Sequence, residues 1–357
     1  MRISNLIIKG LDKNASDKQL SSVIKEVFLK ASKNIFWLKK GDKVLLKPAL
    51  NSPDPYPATT HPLAIKVISE IIEDRGGEVI VGDQSGVEYV FHSPKGVLHG
   101  SSAKNFIKSG MGSSKMNFVG FETSDWDKDF KLFKSNKTTS WKSGFFTTRW
   151  IDKIDHIINL PRLSTHAQAG VSLGFKNWVG LLREDSRMKF HYNGPFSWLM
   201  RDRAHKLDVK DNLKNRFIER IVEIGLAVKS KLRLTLFVGT KAQATLGPDK
   251  KIMSISSKIV TPDQGLVFAS DNPVASEVLA LAFLTYLYQK LPITNKILQK
   301  ILIFFNSQIK ELGVESVWEN KLIKHALKIN LGDKLFQIVY FDVPKNIQNE
   351  LNYQLNV

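Results

Sequence analysis

The sequence predicts an α/β protein: a mostly parallel sheet flanked by helices, with a helical and strand extension at the C-terminus. Three observations predict it. Short apolar runs such as Val44-Leu45-Leu46, Val79-Ile80-Val81 and Ile157-Ile158 alternate with longer stretches of helical periodicity. The runs open into loops rich in Gly, Pro and polar residues, the punctuation of strand ends. No internal repeat or low-complexity linker interrupts this alternation over 357 residues. The expected division is a core over residues 1–290 and an extension over 291–357 packed on it.

In order along the chain, residues 20–31 read as a helix, with Val23, Ile24, Val27 and Phe28 on one face. Gly41-Asp42 is a turn signal, and Val44-Leu45-Leu46 a buried strand that ends at Pro48. Residues 51–62 carry four of the 13 prolines, which excludes helix and central strand and predicts a long loop. Pro62 opens an apolar helix that stops near Gly76-Gly77. Residues 78–81 form the next strand, with Gly82-Asp83-Gln84-Ser85-Gly86 the loop after it. Strand, helix and strand together make a βαβ unit, which predicts a parallel pair. Further strands are expected within 115–121, 155–160, 234–239 and 265–270. Residues 183–233 are charge-rich and read as mostly helical, with an amphipathic candidate at 215–229. Asp271-Asn272-Pro273 caps an apolar helix to Tyr288, with Asp271 the expected cap. That helix contains Glu277 and is too short for the ~20 residues of a membrane span, so it reads as buried core.

The chain has no cysteine, which removes disulfides, thiolate metal sites and a cysteine nucleophile together. An iron–sulfur cluster is therefore not expected, whereas a divalent metal on His and Asp ligands stays open. The N-terminus shows no long apolar run followed by a small-residue cleavage site, so a cytoplasmic location is expected. The formal net charge is +18, with the lysines scattered rather than clustered. Such a charge suits an anionic small molecule, a nucleic acid or an acidic membrane surface, and equally an ordinary solvated surface.

In open α/β sheets, ligands bind beyond the carboxyl ends of the strands. That rule selects Lys47, Asn51 and His61 after the first strand of the βαβ unit, and Asp83 with Gln84 and Ser85 after the second. It also selects Arg162, Ser164, Thr165 and His166 after the strand ending at Leu160. The helix beginning near Asp271 is expected to present its N-terminus at the same rim. The densest segment is 159–180, where Gly170 and Gly174 bracket Ser172 and allow close backbone approach to a ligand. Lys176 suits a counter-charge, or a nucleophilic amine if burial lowers its pKa. His166 and His61 suit acid–base work, and with Asp83 they are the candidate metal ligands. Lys47, Asn51, Asp83, Ser172, Gly170 and Gly174 are the expected substrate contacts. Asp83 has a bland alternative as a turn or capping residue. The other histidines show no metal spacing, and no P-loop, GxSxG or dinucleotide fingerprint is present.

The stretch NLPRLSTHAQAGVSLGFKNWVGLL resembles the signature of the family called domain of unknown function 362. So do Lys47-Pro48, Thr60-His61-Pro62, Val81-Gly82-Asp83 and Ser270-Asp271-Asn272-Pro273-Val274-Ala275, in the family's order over about residues 40–290. Many members carry a cysteine-bearing ferredoxin-like segment, which this chain lacks, and an acidic residue often follows the strand that here reads Leu236-Phe237-Val238-Gly239. A fainter similarity joins His166, Ala169, Gly170, Ser172, Gly174 and Lys176 to the nickel-pincer lactate racemases, in which the lysine holds the cofactor and the histidine lies at the active site. Leu173 and Phe175 stand where that family has glycine and arginine. This similarity implies a shared architecture and site location rather than racemase activity.

The resulting expectation is an enzyme acting on a small anionic metabolite. Its reaction class stays open between metal-assisted isomerase or lyase chemistry and a redox-associated role. The alternatives are a non-catalytic protein that binds nucleic acid or another acidic partner through residues 201–233, without a recognisable motif, and a peripheral membrane protein using Leu302, Phe304, Phe305 and nearby lysines. Substrate and oligomeric state are beyond the sequence.

Overall fold

The computed structural model describes residues 3–94, 96–114, 116–192, 207, 216–247 and 257–356. Their centre is an eight-stranded sheet. Its strands are β1 (Ser4–Asp12), β2 (Lys43–Pro48), β3 (Glu78–Asp83), β4 (Phe118–Gly120), β5 (His156–Leu160), β6 (Leu232–Gly239), β7 (Gln264–Ser270) and β8 (Phe336–Phe341). Across the sheet the order is β8-β1-β7-β6-β5-β2-β3-β4. β7 runs antiparallel to both its neighbours, and every other adjacent pair is parallel. β8 pairs with β1, so part of the C-terminal extension completes the sheet.

Side chains alternate across the strands and build one core on each face. Val44, Leu46, Val81 and Ile158 face the helices α1 (Asp17–Ala31) and α2 (Pro62–Glu73). Leu45, Ile80, Ile157 and Phe237 face the other layer. There the central element is α7 (Pro273–Gln289), buried almost all round, which explains its largely apolar composition. The other labelled helices are α3 (Ser102–Lys108), α4 (Gly174–Asn177), α5 (Glu184–Tyr192), α6 (Phe217–Ile224), α8 (Ile297–Phe304), α9 (Lys321–Lys328) and α10 (Lys345–Leu355). The βαβ unit folds as expected, with Leu45 opposite Ile80 in a parallel register.

Four expectations are corrected. Residues 4–12, in which no strand was expected, form β1, an interior strand of the sheet. Asp271 does not cap α7; the Asn272 side chain accepts from the Val274 N–H, and Asp271 pairs with Lys33 at 3.1 Å. The start of α7 does not share the rim with the other loops, because antiparallel β7 delivers its C-terminal end to the opposite edge of the sheet. Asp83 is not a capping residue but half of a buried ion pair. The expected strand within 115–121 covers only Phe118–Gly120, and Lys115 lies outside the described residues. Within the basic stretch 201–233, only Leu207 and residues 216–233 are described.

Candidate functional site

β2, β3 and β5 are adjacent and parallel, so their carboxyl ends open on one edge of the sheet. Lys47 on β2 and Asp83 at the end of β3 meet there, with Nζ and Oδ1 2.7 Å apart and side chains 0% and 4% exposed. Asp83 Oδ1 also accepts from the Gln84 N–H at 2.8 Å, and Oδ2 from the Leu50 N–H at 2.9 Å. Lys47 Nζ donates to the Pro48 carbonyl at 2.8 Å. Burial pushes the carboxyl up and the ammonium down, and each charge opposes the other's shift. The pair is thus over-determined by backbone bonds, the condition under which a buried ion pair keeps its geometry.

Asn177 extends this network. Its amide donates to the Lys47 carbonyl at 3.0 Å and to Asn159 Oδ1 at 2.8 Å, and Asn159 donates to the Gly174 carbonyl at 3.2 Å. The turn from Gly174 to Asn177 is thereby tied to the ends of β2 and β5. Glu277 of α7 holds it from below, accepting the Phe175 N–H at 3.1 Å. A Cβ at Gly174 would come within 2.7 Å of Glu277 Oε2, so this approach requires glycine. Burial pushes the Glu277 carboxyl up to about 8 despite the N–H groups of Phe175 and Gly174.

Above the ion pair lies a cleft lined by Asn51, Asp83, Gln84, Arg162, Ser172, Lys176, Asn177, Gly180 and Arg187, among others. Its interior free volume is about 40 Å³, against the roughly 30 Å³ that one water occupies in the liquid. A group of only a few atoms reaches the floor. Arg162, Lys176 and Arg187 are each at least nine-tenths buried. Arg187 Nη1 bonds Glu184 at 3.2 Å and Nη2 the Ser85 carbonyl at 2.7 Å, while Nε has no hydrogen-bond partner among the described residues. Glu184 also accepts from Gln84 at 3.0 Å.

His166 sits in the hairpin that pairs Ser164–His166 with Gly170–Ser172, and Gly170 makes its turn with a φ of +81°. The His166 Nδ1 accepts from the N–H groups of Gln168 and Ala169, at 3.1 and 3.2 Å. A nitrogen that accepts carries no proton, so the neutral ring holds its proton on Nε2. Burial, followed by the charges of Lys176 and Arg162, holds its pKa well below the usual histidine range. His166 is therefore built as a hydrogen-bond donor, and the general-base role expected of it does not fit this geometry.

Of the sequence-selected residues, Asn51, Asp83, Ser172 and Lys176 share the cleft. Lys47 lies directly beneath, Gly174 and Gly170 shape the backbone behind, and His166 lies within electrostatic reach of Lys176. His61 is not brought to the cleft. It is the N-cap of α2, its Nδ1 accepting from the Leu63 N–H at 3.2 Å, with its ring against Tyr56. Burial lowers its pKa to about 4. Among the described residues no group of three His, Asp or Glu side chains assembles into a metal site, so His61, Asp83 and His166 do not form the expected ligand set. The chain offers no thiolate for an iron–sulfur cluster.

Sequence reasoning missed Arg187, His191 and Glu277. His191 Nδ1 lies 2.7 Å from the Arg187 carbonyl, which can only accept, so His191 Nε2 is an acceptor. Its pKa falls to about 3, first through burial and then through the Lys176 and Arg187 charges. Glu184, Arg187 and His191 recur at spacings of three and four on α5, a polar stripe turned inward. That spacing was the available signal.

The chain is 25% identical over 215 residues to the thylakoid-associated protein sll1697 of Synechocystis sp. (strain ATCC 27184 / PCC 6803 / Kazusa). The match spans 59% of this chain and 56% of that protein, so the chain covers little more than half of its relative. No solved structure matches. The family described as Domain of unknown function (DUF362) matches residues 44–282, a span that contains the ion pair, the hairpin, the cleft and Glu277. The chain belongs to the DUF362 family.

Proposed function

We propose that the chain is an enzyme acting on a small anionic metabolite, held in the cleft by Arg162, Lys176 and Arg187. The observation that carries this reading is the gathering of buried basic side chains at one cleft. Three buried cations line the cleft. Asp83 is the single carboxylate among the described lining residues, and Lys47 already neutralises it. Arg187 is already paired with Glu184, and a carboxylate or phosphate oxygen in the cleft would be drawn to this basic lining and offer Arg187 Nε an acceptor. Ser172 and Asn177 add neutral hydrogen-bonding groups at the same wall. His166, with Nε2 protonated, serves as donor to a developing oxyanion. Lys47 and Asp83 act as positioning residues for the floor.

Calorimetric titration with inorganic phosphate and small mono- and dicarboxylates tests the reading. At least one of these anions should bind, and Arg187→Ala should weaken it by roughly 10- to 100-fold, the loss of one charge-assisted hydrogen bond. Failure of every anion to bind the wild type, or unchanged binding by the variant, would sink it. His166→Ala should abolish turnover of the eventual substrate without loss of folding. Salt-steep binding of duplex DNA that ignores Arg187→Ala would favour the nucleic-acid reading instead.

Among the described residues no helix is long and apolar enough to cross a membrane. We place the chain in the cytoplasm. The relative named as thylakoid-associated makes cell fractionation the check, and recovery from a compartment outside the cytoplasm would overturn that placement.

A further inference from the structure

α8 is built inside out. Helices of water-soluble proteins turn their apolar stripe to the core and their polar residues to solvent. Here Gln299 is buried, its side-chain oxygen accepting the Leu246 N–H at 2.7 Å. Just past the helix, Asn306 is buried too, its amide donating to the carbonyls of Ala167 at 3.1 Å and Gln168 at 3.3 Å. The apolar residues point outward. Phe304 and Phe305 are 83% and 73% exposed, and Ile293, Ile297, Leu298 and Ile301 are exposed with them. Of the thirteen large hydrophobics exposed among the described residues, these six fall within residues 293–305. Scattered exposed apolar residues need no explanation, whereas a contiguous patch marks an interaction surface.

The patch is ringed by positive charge. Lys290, Lys296, Lys300 and Lys310 flank it in sequence, against Glu311, which pairs with Lys300 at 3.2 Å. Lys290 and Lys296 lie over the rings of Tyr286 and Tyr288, at 4.1 and 4.9 Å from the centroids, so their stems pack along the protein beside the patch. An apolar face with a lysine rim matches one surface in chemistry, the interface of an anionic lipid bilayer. A second copy of the chain would bring the same lysines, on a molecule whose formal net charge is +18, against its own kind. With eight residues, α8 spans about 12 Å, well short of the ~30 Å hydrocarbon core, and so lies in the interface rather than crossing it.

We propose that α8 and the residues flanking it dock this protein peripherally on an anionic membrane, with Phe304 and Phe305 as the inserted side chains. Leu302, expected at the sequence level to share this role, is half-buried against the protein. The docking face lies behind the candidate site. Asn306 holds the carbonyls of the turn that follows His166, and Ile309 packs on Gly170 of the same hairpin. The surface that meets lipid and the wall of the cleft thus share one short hairpin.

Flotation of the full-length protein with vesicles tests the proposal, using phosphatidylcholine alone and phosphatidylcholine mixed with phosphatidylglycerol. The protein should float with the mixed vesicles and remain below with phosphatidylcholine alone, and high salt should weaken the binding. Phe304→Ser/Phe305→Ser should reduce the bound fraction by about tenfold or more. Lys296→Glu/Lys300→Glu should do so without touching the aromatic pair. Phe304, Phe305 and Lys300 are exposed and Lys296 is half-buried, and circular dichroism should match the wild type for both variants. Absence of flotation with the mixed vesicles would overturn the proposal, as would undiminished flotation of the phenylalanine variant. A wild-type dimer in light scattering that the phenylalanine variant converts to monomer would overturn it in favour of self-association.

Discussion

Glu277 offers the sharpest physical test of the site's architecture. It is 1% exposed in an otherwise apolar helix, accepts backbone N–H groups through Oε2, and leaves Oε1 without a partner among the described residues. Burial raises its carboxyl from 4.5 to about 8. Between those values the unfolded chain has released this proton while the native state still holds it. Stability contributed by the protonated form is therefore complete below about pH 4.5 and lost as pH rises through about 8. The loss amounts to roughly 1.4 kcal/mol per pH unit, on the order of 4–5 kcal/mol over the whole window. Glu277→Gln removes the titration and keeps the shape, since the amide oxygen still accepts the Phe175 N–H. Urea unfolding followed by tryptophan fluorescence, at steps from about pH 5 to about pH 8, gives the stability difference between variant and wild type. That difference should grow in the variant's favour by roughly 1.4 kcal/mol per unit and level off above about pH 8. Every other titrating group is common to both proteins and cancels. A difference that stays flat across the window would refute the reasoning, because it would mean that the carboxyl ionises at an ordinary pH and is solvated or charge-paired.

Three further outcomes are expected. Lys47→Met should cost about 3–5 kcal/mol by stranding the Asp83 carboxylate, and Lys47→Met/Asp83→Leu should recover part of it; full additivity in that cycle would show that the pair does not interact. Gly180→Ala should destabilise by roughly 1–3 kcal/mol and weaken anion binding, because its Cβ would press on Asp83 Oδ1; an unperturbed melting curve would show the cleft floor to be slack. Nitrogen-15 NMR should find His166 and His191 as neutral rings of opposite tautomer, protonated on Nε2 and Nδ1 respectively, at every pH near neutrality. Their folded pKa values are lowered, so the stability they contribute is present above about pH 6.5 and lost as pH falls.

How much of this was legible follows from where the signals are local. The β2-α2-β3 unit could be read because its apolar runs, Pro62 and Gly76-Gly77 all fall within one stretch of chain. β1 could not. Its sequence, Ser4-Asn5-Leu6-Ile7-Ile8-Lys9-Gly10-Leu11-Asp12, is diluted by polar residues and glycine, and its partners β7 and β8 lie hundreds of residues away. The direction of β7 was equally hidden, since Gly265-Leu266-Val267-Phe268-Ala269 has the same composition whichever way it runs; that one unread bit sent Asp271 to the wrong rim. Asn51, Asp83, Ser172 and Lys176 were legible because they follow strands. Arg187 and His191 were not, because charge on a helix reads as solvated surface until the fold shows which face is turned inward.

The same blindness explains Glu277 and α8, and it points to a common cause. A helix read alone is judged by its average: α7 is apolar, so Glu277 looks like an interruption; α8 is apolar, so which of its faces meets solvent is not visible. In the structure the two helices depart from their averages in opposite senses. α7 buries a carboxyl because the Gly174–Asn177 turn needs an acceptor beneath it, and that turn carries Lys176 and Asn177 to the cleft. α8 exposes its apolar face because its one neutral polar residue, Gln299, is spent on the Leu246 N–H, and Asn306 beyond it on the hairpin behind His166. Both helices therefore give polar groups to backbone close to the candidate site. The segment 164–177 has short regular elements, three residue pairs in its hairpin, one further pairing of Ser164 with Gln243 and one helical turn. Loop backbone buried this way must find partners in neighbouring elements. Substitutions that keep the apolar pattern of α7 or α8 but remove Glu277 or Asn306 should thus disturb anion binding more than their distance from the cleft suggests. Asn306→Leu is the decisive case: it should weaken phosphate or carboxylate binding in the calorimeter while leaving vesicle flotation intact, and the reverse pattern would show the hairpin and the docking face to be mechanically independent.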